Sequence, residues 1–141
     1  MNILLVTQYF FPENTRANEL AESLSNKGHN VTVLTGLPNY PGGDFFEGFS
    51  FFKFKKKSTY KSLKIIRCRM TPRKSGSSFF LFLNYLSFMI FASLKVLFLK
   101  KQKFHVSLVF AVSPITVAIP ALVLKFIKKT PLAIWVQDLW P

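Results

Sequence analysis

The chain has 141 residues, of which half are apolar and 18% are charged, a composition that predicts one globular domain with its own core and excludes a disordered tail. Charge is unevenly divided: residues 1–50 carry a net −3, and residues 51–141 carry +16, with Asp138 as their one acid. This excess predicts a polyanionic partner, namely nucleic acid, an anionic membrane surface or a phosphorylated substrate; a solvated basic face is the alternative. A single cysteine, Cys68, excludes an internal disulfide and indicates a reducing compartment.

The first 35 residues have the pattern of a strand, a helix and a second strand. Asn2–Val6 is a short apolar run with no basic segment before it, so it predicts a covered strand and not a secretory signal. From Thr15 the apolar residues recur at helical spacing, and Gly28 follows as a C-cap. Asn30–Leu34 predicts the second strand, which completes a βαβ unit.

A long loop and a basic excursion follow. Residues 35–49 are dense in Gly, Pro, Asn and Asp and predict a loop. Residues 50–57 alternate Phe with Lys, and residues 62–70 contain Ile65 and Ile66, so both have strand character. We expect a hairpin-like pair that leads into the third core strand.

Residues 79–99 form an apolar segment in which Lys95 is the only charge. Its length and polarity meet the criteria for a transmembrane helix, but a core helix or a helix at a membrane interface has the same composition. Basic residues flank both ends, so the positive-inside rule assigns no orientation. We favour the core or interfacial helix over a true span.

The remaining segment alternates strand and helix again. His105–Phe110 predicts a fourth strand, Ser113 an N-cap before Pro114, and Pro120 the start or a kink of the helix. Residues 132–136 predict a buried fifth strand. This alternation predicts an α/β fold, specifically a Rossmann-like parallel sheet with helices on both faces.

In such a sheet the carboxyl ends of the strands share one edge, where ligands bind. Arg16 opens a helix whose N-terminal amides also attract anions, so it is a candidate phosphate contact, with a solvated surface arginine as the alternative. Asp138 is the candidate catalytic carboxylate, a general base or orienting group, with a capping role as the alternative. The candidate substrate-binding residues at this edge are Asn14, Arg16, Asn39, Tyr40, Ser113, Thr116 and Gln137.

Several common cofactor motifs are missing from the sequence. The first turn lacks G-x-G-x-x-G, and the glycines near residue 42 are not followed by the Lys-Ser/Thr of a P-loop. His29 and His105 lie at strand entrances, on the opposite edge, without partners at ligand spacing. We therefore predict no metal and no cofactor.

Three segments, LLVTQYFFPENTRANELAESLSNKGHNVTVLTGLPNYP, SPITVAIPALVL and WVQDLWP, resemble the amino-terminal half of retaining GT-B glycosyltransferases of the family-four type. The chain is similar to the bacterial enzymes of surface-polysaccharide assembly, of the L-fucosamine or colanic-acid transferase kind. The resemblance implies that residues 1–141 are a Rossmann-like acceptor-binding domain, that the carboxyl-terminal donor-binding domain is absent, and that the chain alone is inactive. The first loop reads FFPENTRAN where many relatives carry a Gly-Gly pair.

The resemblance also implies a reaction and a location. Such an enzyme transfers a sugar from a nucleotide sugar to a lipid-linked glycan acceptor in O-antigen, capsule or exopolysaccharide biosynthesis. It works at the cytoplasmic face of the bacterial inner membrane, where a basic surface is attracted to anionic headgroups. We expect peripheral association with the membrane.

Two alternatives stay open. One is a non-catalytic, membrane-associated basic binding module that uses residues 79–99 as an anchor. The other is nucleic-acid binding through the lysines of residues 53–57 and the phenylalanines between and before them, which is not favoured because no nucleic-acid motif accompanies them.

Overall fold

The computed structural model describes residues 1–74, 77–99 and 102–137. Within these ranges the chain forms six strands, three α-helices and one short 3₁₀ helix. The elements in chain order are β1 Asn2–Val6, α1 Arg16–Asn26, β2 Asn30–Thr35, β3 Lys57–Tyr60, β4 Leu63–Arg67, α2 Ser78–Leu97, β5 Val106–Ala111, the 3₁₀ helix Ile115–Ala118, α3 Ile119–Lys128 and β6 Leu132–Val136.

All six strands form one sheet in the order β3-β4-β2-β1-β5-β6. Five strands are parallel, and β3 pairs antiparallel with β4 as a short hairpin at one edge. The sheet is therefore mixed and not purely parallel. Its order reverses between β1 and β5, so the carboxyl ends of the parallel strands share one edge with a crevice between those two strands. The predicted α/β class is confirmed, and the architecture is compatible with a Rossmann-like domain.

Helices cover both faces of the sheet, as the sequence predicted. Because side chains alternate along a strand, Leu4 and Val6 pack with α2 and α3, whereas Leu5 packs with α1. Val33 and Phe110 extend the core on the α1 face. Burial on both faces explains why β1 is a continuous apolar run and does not alternate apolar with polar residues.

Helix α2 lies on the sheet through a narrow stripe. Only Asn84, Phe88, Ala92 and Val96 are buried among its twenty residues, at the four-residue spacing of one helix face. The helix is long and apolar enough to cross a membrane by length and composition. Here its stripe forms part of the core, and apolar side chains on its other faces are exposed, among them Phe79, Phe82, Ile90 and Leu94.

The first strand of the hairpin is shifted from its predicted position. Residues 50–56 are not strand, and β3 begins at Lys57, where it pairs with β4 across a tight turn at Lys61, whose φ is +52°. Phe49 and Phe54 instead pack against the core cluster of α2. Within the predicted strand only Phe54 packs on this cluster, whereas Phe52 is exposed, so residues 50–56 do not have the two faces of a pleated strand.

Two further predictions near the carboxyl end were wrong. The N-cap is Pro114 and not Ser113; it precedes the 3₁₀ helix and makes no side-chain hydrogen bond. By contrast, Pro120 lies in the first turn of α3, as predicted. Strand β6 is exposed over residues 133–136 and not buried. It pairs only with β5 among the described strands, and α1 packs over β2 and β4, away from it.

The loop after β2 packs closely against the segment that follows β4. The Gly43 N–H donates to the Asn39 carbonyl at 2.8 Å, and the Lys74 N–H donates to the Gly43 carbonyl at 2.8 Å. Gly43 has a φ of +92°, and a Cβ there would lie 2.0 Å from the Lys74 carbonyl oxygen. The loop therefore requires glycine at this position.

We expect Gly43→Ala to lower the free energy of unfolding by about 2 kcal/mol or more, because strain and a backbone clash act together. Gly42→Ala is the matched control, since a Cβ at Gly42 meets nothing within 4 Å. Urea unfolding followed by circular dichroism measures both variants. Equal stability of the two would contradict the described packing of this loop.

Candidate functional site

A buried carboxylate joins two loops at the carboxyl edge of the sheet. Glu13 is 2% exposed. Its Oε1 accepts hydrogen bonds from the N–H groups of Asn39 and Tyr40, each at 2.8 Å, and its Oε2 accepts one from the Phe10 N–H at 3.0 Å. The loop after β1 is thereby fixed to the loop after β2.

Burial dominates the titration of this carboxyl group. It raises the pKa of Glu13 from 4.5 to about 7, although the three N–H donors and the nearby Arg67 act in the opposite direction. Both carboxylate oxygens are engaged by the protein's own backbone. Glu13 therefore holds loops together and is not presented to a substrate.

A second buried polar side chain, Asn84 of α2, connects three loops. Its Oδ1 accepts from Gln8 Nε2 at 2.7 Å and from Tyr9 Oη at 3.1 Å. Its Nδ2 donates to the Thr71 carbonyl at 2.5 Å and to Asn39 Oδ1 at 3.4 Å. These partners explain how an apolar helix accommodates a fully buried amide.

These contacts place an arginine on a pair of aromatic rings. The Arg73 Cζ lies 5.7 Å from the Tyr9 ring centroid and 5.2 Å from that of Tyr40, and the two rings are 5.4 Å apart. The Arg73 N–H donates to Asn39 Oδ1 at 3.3 Å. We call Tyr9, Tyr40 and Arg73 the aromatic platform. Tyr40 is 41% exposed and Arg73 is half-buried, whereas Tyr9 is buried beneath them. The platform therefore presents Tyr40 and Arg73 to solvent, at the edge where ligands bind in open α/β sheets.

The chemistry of the platform is that of binding. A guanidinium forms bidentate hydrogen bonds with phosphate or carboxylate, and tyrosine faces pack against flat apolar surfaces. The one ion pair found in residues 1–74, 77–99 and 102–137 joins Lys61 to Glu22, so Arg73 has no carboxylate partner there. The platform can therefore accept an external anion.

The crevice between β1 and β5 is narrow. It encloses about 30 Å³, close to the space of one water molecule. Thr7, Gln8, Tyr9 and Thr15 line one side, and Ser113 lies on the other. This notch adjoins the platform through Tyr9 and is too small to hold a ligand by itself.

The structure brings only some of the predicted site residues together. Asn39 and Tyr40 meet through Glu13, but the Asn39 side chain is buried and engaged by protein atoms. Ser113 is exposed at the notch, and Thr116 is half-buried in the 3₁₀ helix.

The other predicted residues lie elsewhere. Asn14 and Arg16 are exposed beside the start of α1, without a described contact to the platform. The Gln137 N–H donates to the Ala111 carbonyl at 2.8 Å, beyond the end of β6. Asp138, the predicted catalytic residue, lies outside the described residues, so its role stays a prediction.

Two other groups with reactive chemistry, the Cys68 thiol and the His105 imidazole, are engaged by the protein itself. Burial raises the pKa of the Cys68 thiol to about 12, so it is not a thiolate nucleophile. His105 Nδ1 accepts the Asn2 N–H at 2.9 Å at the opposite edge of the sheet. No group of three His, Cys, Asp or Glu residues within these ranges is placed to hold a metal ion.

The sequence contained a usable signal for one of the residues that were missed. Asn84 is a polar residue in the middle of a long apolar segment, which indicates a buried hydrogen-bonding role. Glu13 and Arg73 had no comparable signal, because their partners are backbone N–H groups and rings from distant loops.

Comparison of the full sequence with protein-family models finds no match, and a search of curated proteins finds none either. The interpretation of the site therefore depends on the chemistry of its own side chains. The family suggested by the sequence segments remains a prediction.

We expect Glu13 to make stability dependent on pH in a defined direction. Its pKa is raised, so the folded chain holds a proton between about 4.5 and 7 that the unfolded chain releases. The stabilisation that comes from this bound proton is fully present below pH 4.5 and is lost as the pH rises through 7. Urea unfolding measures this effect. Between pH 5 and pH 8 the free energy of unfolding should fall by roughly 1–3 kcal/mol more in the wild type than in Glu13→Gln. Parallel pH profiles of the two proteins would refute this.

Asn84→Leu should lower the free energy of unfolding by about 2–3 kcal/mol, because Gln8, Tyr9 and the Thr71 carbonyl lose a buried partner. Ser93→Ala on the same helix is the control. The Ser93 hydroxyl donates only to the Met89 carbonyl, within α2, so we expect a change below about 0.5 kcal/mol. Thermal unfolding measures both, and an equal effect would argue against the Asn84 network.

Proposed function

We propose that this chain is the acceptor-binding, Rossmann-like domain of a retaining GT-B glycosyltransferase. The observation that carries the proposal is the aromatic platform at the carboxyl edge of the sheet. There, Arg73 rests on Tyr9 and Tyr40 without a carboxylate partner in the described residues. The strand order, with its reversal between β1 and β5, also supports it.

A lipid-linked glycan acceptor has the two chemical groups that this platform suits. Its pyrophosphate oxygens match the donor geometry of the Arg73 guanidinium, and the C–H face of its sugar packs on the exposed ring of Tyr40. In the family that the sequence resembles, a second domain holds the nucleotide-sugar donor, and we propose the same division here. It fits the lack of a glycine-rich phosphate loop in this sequence. The reaction would transfer the sugar from that nucleotide to the acceptor in surface-polysaccharide biosynthesis.

The surface of the chain supports a peripheral membrane location, at the cytoplasmic face of the bacterial inner membrane. Residues 51–141 carry a net +16, which favours anionic headgroups. Exposed side chains of α2, such as Phe79, Phe82 and Leu94, suit the interfacial region. A span through α2 would remove Asn84 and Phe88 from the core, so we propose surface association.

A non-catalytic, membrane-associated binding module is the second candidate. The same exposed apolar side chains of α2 favour it, because anchoring needs no acceptor site. The two candidates differ in one respect. A transferase domain distinguishes a sugar-linked polyprenyl pyrophosphate from other anionic lipids, whereas a general module does not.

We expect the chain to bind zwitterionic nanodiscs that contain a polyprenyl-pyrophosphate-linked sugar at least tenfold more tightly than nanodiscs without it. Arg73→Ala should remove most of this difference, because it deletes a charged hydrogen-bond donor of the platform. Lys27→Ala is the control, because it also removes one positive charge but lies at the C-terminal end of α1, away from the carboxyl edge of the sheet. This variant should bind as the wild type does. Biolayer interferometry measures the affinities.

Two results would contradict the proposal. One is equal affinity for nanodiscs with and without the sugar-linked lipid; the other is an equal loss in the Arg73 and Lys27 variants. Tight binding to phosphatidylglycerol nanodiscs without preference for the sugar-linked lipid would instead favour the second candidate.

A further inference from the structure

A second concave site lies beside the β3–β4 hairpin. We call it the hairpin cleft. It encloses about 390 Å³, within the size range of small-molecule sites. Its walls come from the loop after β1, the loop after β2 and the hairpin, and none of the platform residues lines it. The lining residues that matter for binding are Phe11, Phe49, Lys55, Ser58, Thr59 and Arg67.

A buried arginine forms one wall of this cleft. Arg67 is 3% exposed, its Nη1 donates to the Gly36 carbonyl at 3.3 Å, and its Nη2 donates to the Phe11 carbonyl. Both acceptors are neutral. No carboxylate of the described residues lies within 4.0 Å of the guanidinium. Glu13 interacts with Arg67 only at longer range, and its oxygens are held by backbone N–H groups. The guanidinium therefore has no directly paired anion and favours an anionic ligand.

Other groups around the cleft complement this charge. Lys55 adds an exposed cation, Ser58 and Thr59 add hydroxyl groups, and none of the described residues that line the cleft is acidic. Two aromatic rings, those of Phe11 and Phe49, also line the cleft. Phe11 stacks on Tyr60 with centroids 3.8 Å apart and is 37% exposed, and the Arg67 Cζ lies 5.1 Å from the Phe49 ring centroid.

We infer that the hairpin cleft binds a small organic anion with a flat ring next to its charge. The phosphate or carboxylate oxygens lie between Arg67 and Lys55, and the ring packs against Phe11 and Phe49. The site is separate from the aromatic platform and does not depend on the transferase proposal. If the sole role of Arg67 were to join the backbones of Gly36 and Phe11, the cleft would bind no such ligand.

The test is a titration of the intact chain with 4-nitrophenyl phosphate, followed by ¹H–¹⁵N NMR. We expect saturable shifts of the Phe49, Lys55 and Thr59 amides, and weaker binding of inorganic phosphate, which lacks the ring. Lys55→Ala should weaken the affinity about fivefold through loss of one charge contact. Lys53→Ala, another exposed lysine of the same segment that does not line the cleft, should leave it unchanged.

Arg67→Gln should abolish binding. Because replacing a buried arginine also affects folding, the circular dichroism spectrum of this variant is recorded first. If that variant is unfolded, Phe49→Ala replaces it, with an expected loss of at least threefold in affinity through the missing ring contact. Absence of saturable shifts at the cleft, or equal losses in the Lys53 and Lys55 variants, would overturn the inference. Neither result would bear on the proposed role of the aromatic platform, since Arg73 does not line this cleft.

Discussion

The carboxyl edge of this sheet depends on buried polar contacts between its loops. Glu13 fixes the loop after β1 to the loop after β2, and Asn84 joins both to the segment after β4. Each group is fully buried or nearly so, and an unpaired buried amide or carboxylate is strongly unfavourable. Removal of one member would leave its buried partners unpaired, and the position of the aromatic platform follows from these contacts.

Helix α2 combines two roles that its composition alone does not separate. One stripe of the helix, from Asn84 to Val96, completes the core and supports the platform. Outside this stripe Phe79, Phe82, Ile90 and Leu94 are exposed, and the other apolar side chains of the helix are half-buried. The helix is also long and apolar enough to meet the criteria for a membrane span.

Local patterns predicted the order of strands and helices, because apolar periodicity is a property of each segment. Asn2–Val6 was predicted with its observed bounds for this reason. Tertiary effects explain the errors. Phe49 and Phe54 pack on the core, and β3 begins only at Lys57, after its predicted start; β6 is an apolar strand exposed at an edge. The partners of Glu13 are backbone N–H groups, which no sequence pattern identifies.

The central claim is that the aromatic platform contacts the pyrophosphate and first sugar of a lipid-linked acceptor. Photo-crosslinking with a diazirine-bearing polyprenyl pyrophosphate sugar, with the label on the sugar, tests it most directly. Mass spectrometry of the digested chain should place the crosslinks on the peptides that contain Tyr9, Tyr40 and Arg73. Crosslinks confined to the outer face of α2, or to the opposite edge of the sheet near His105, would contradict the account.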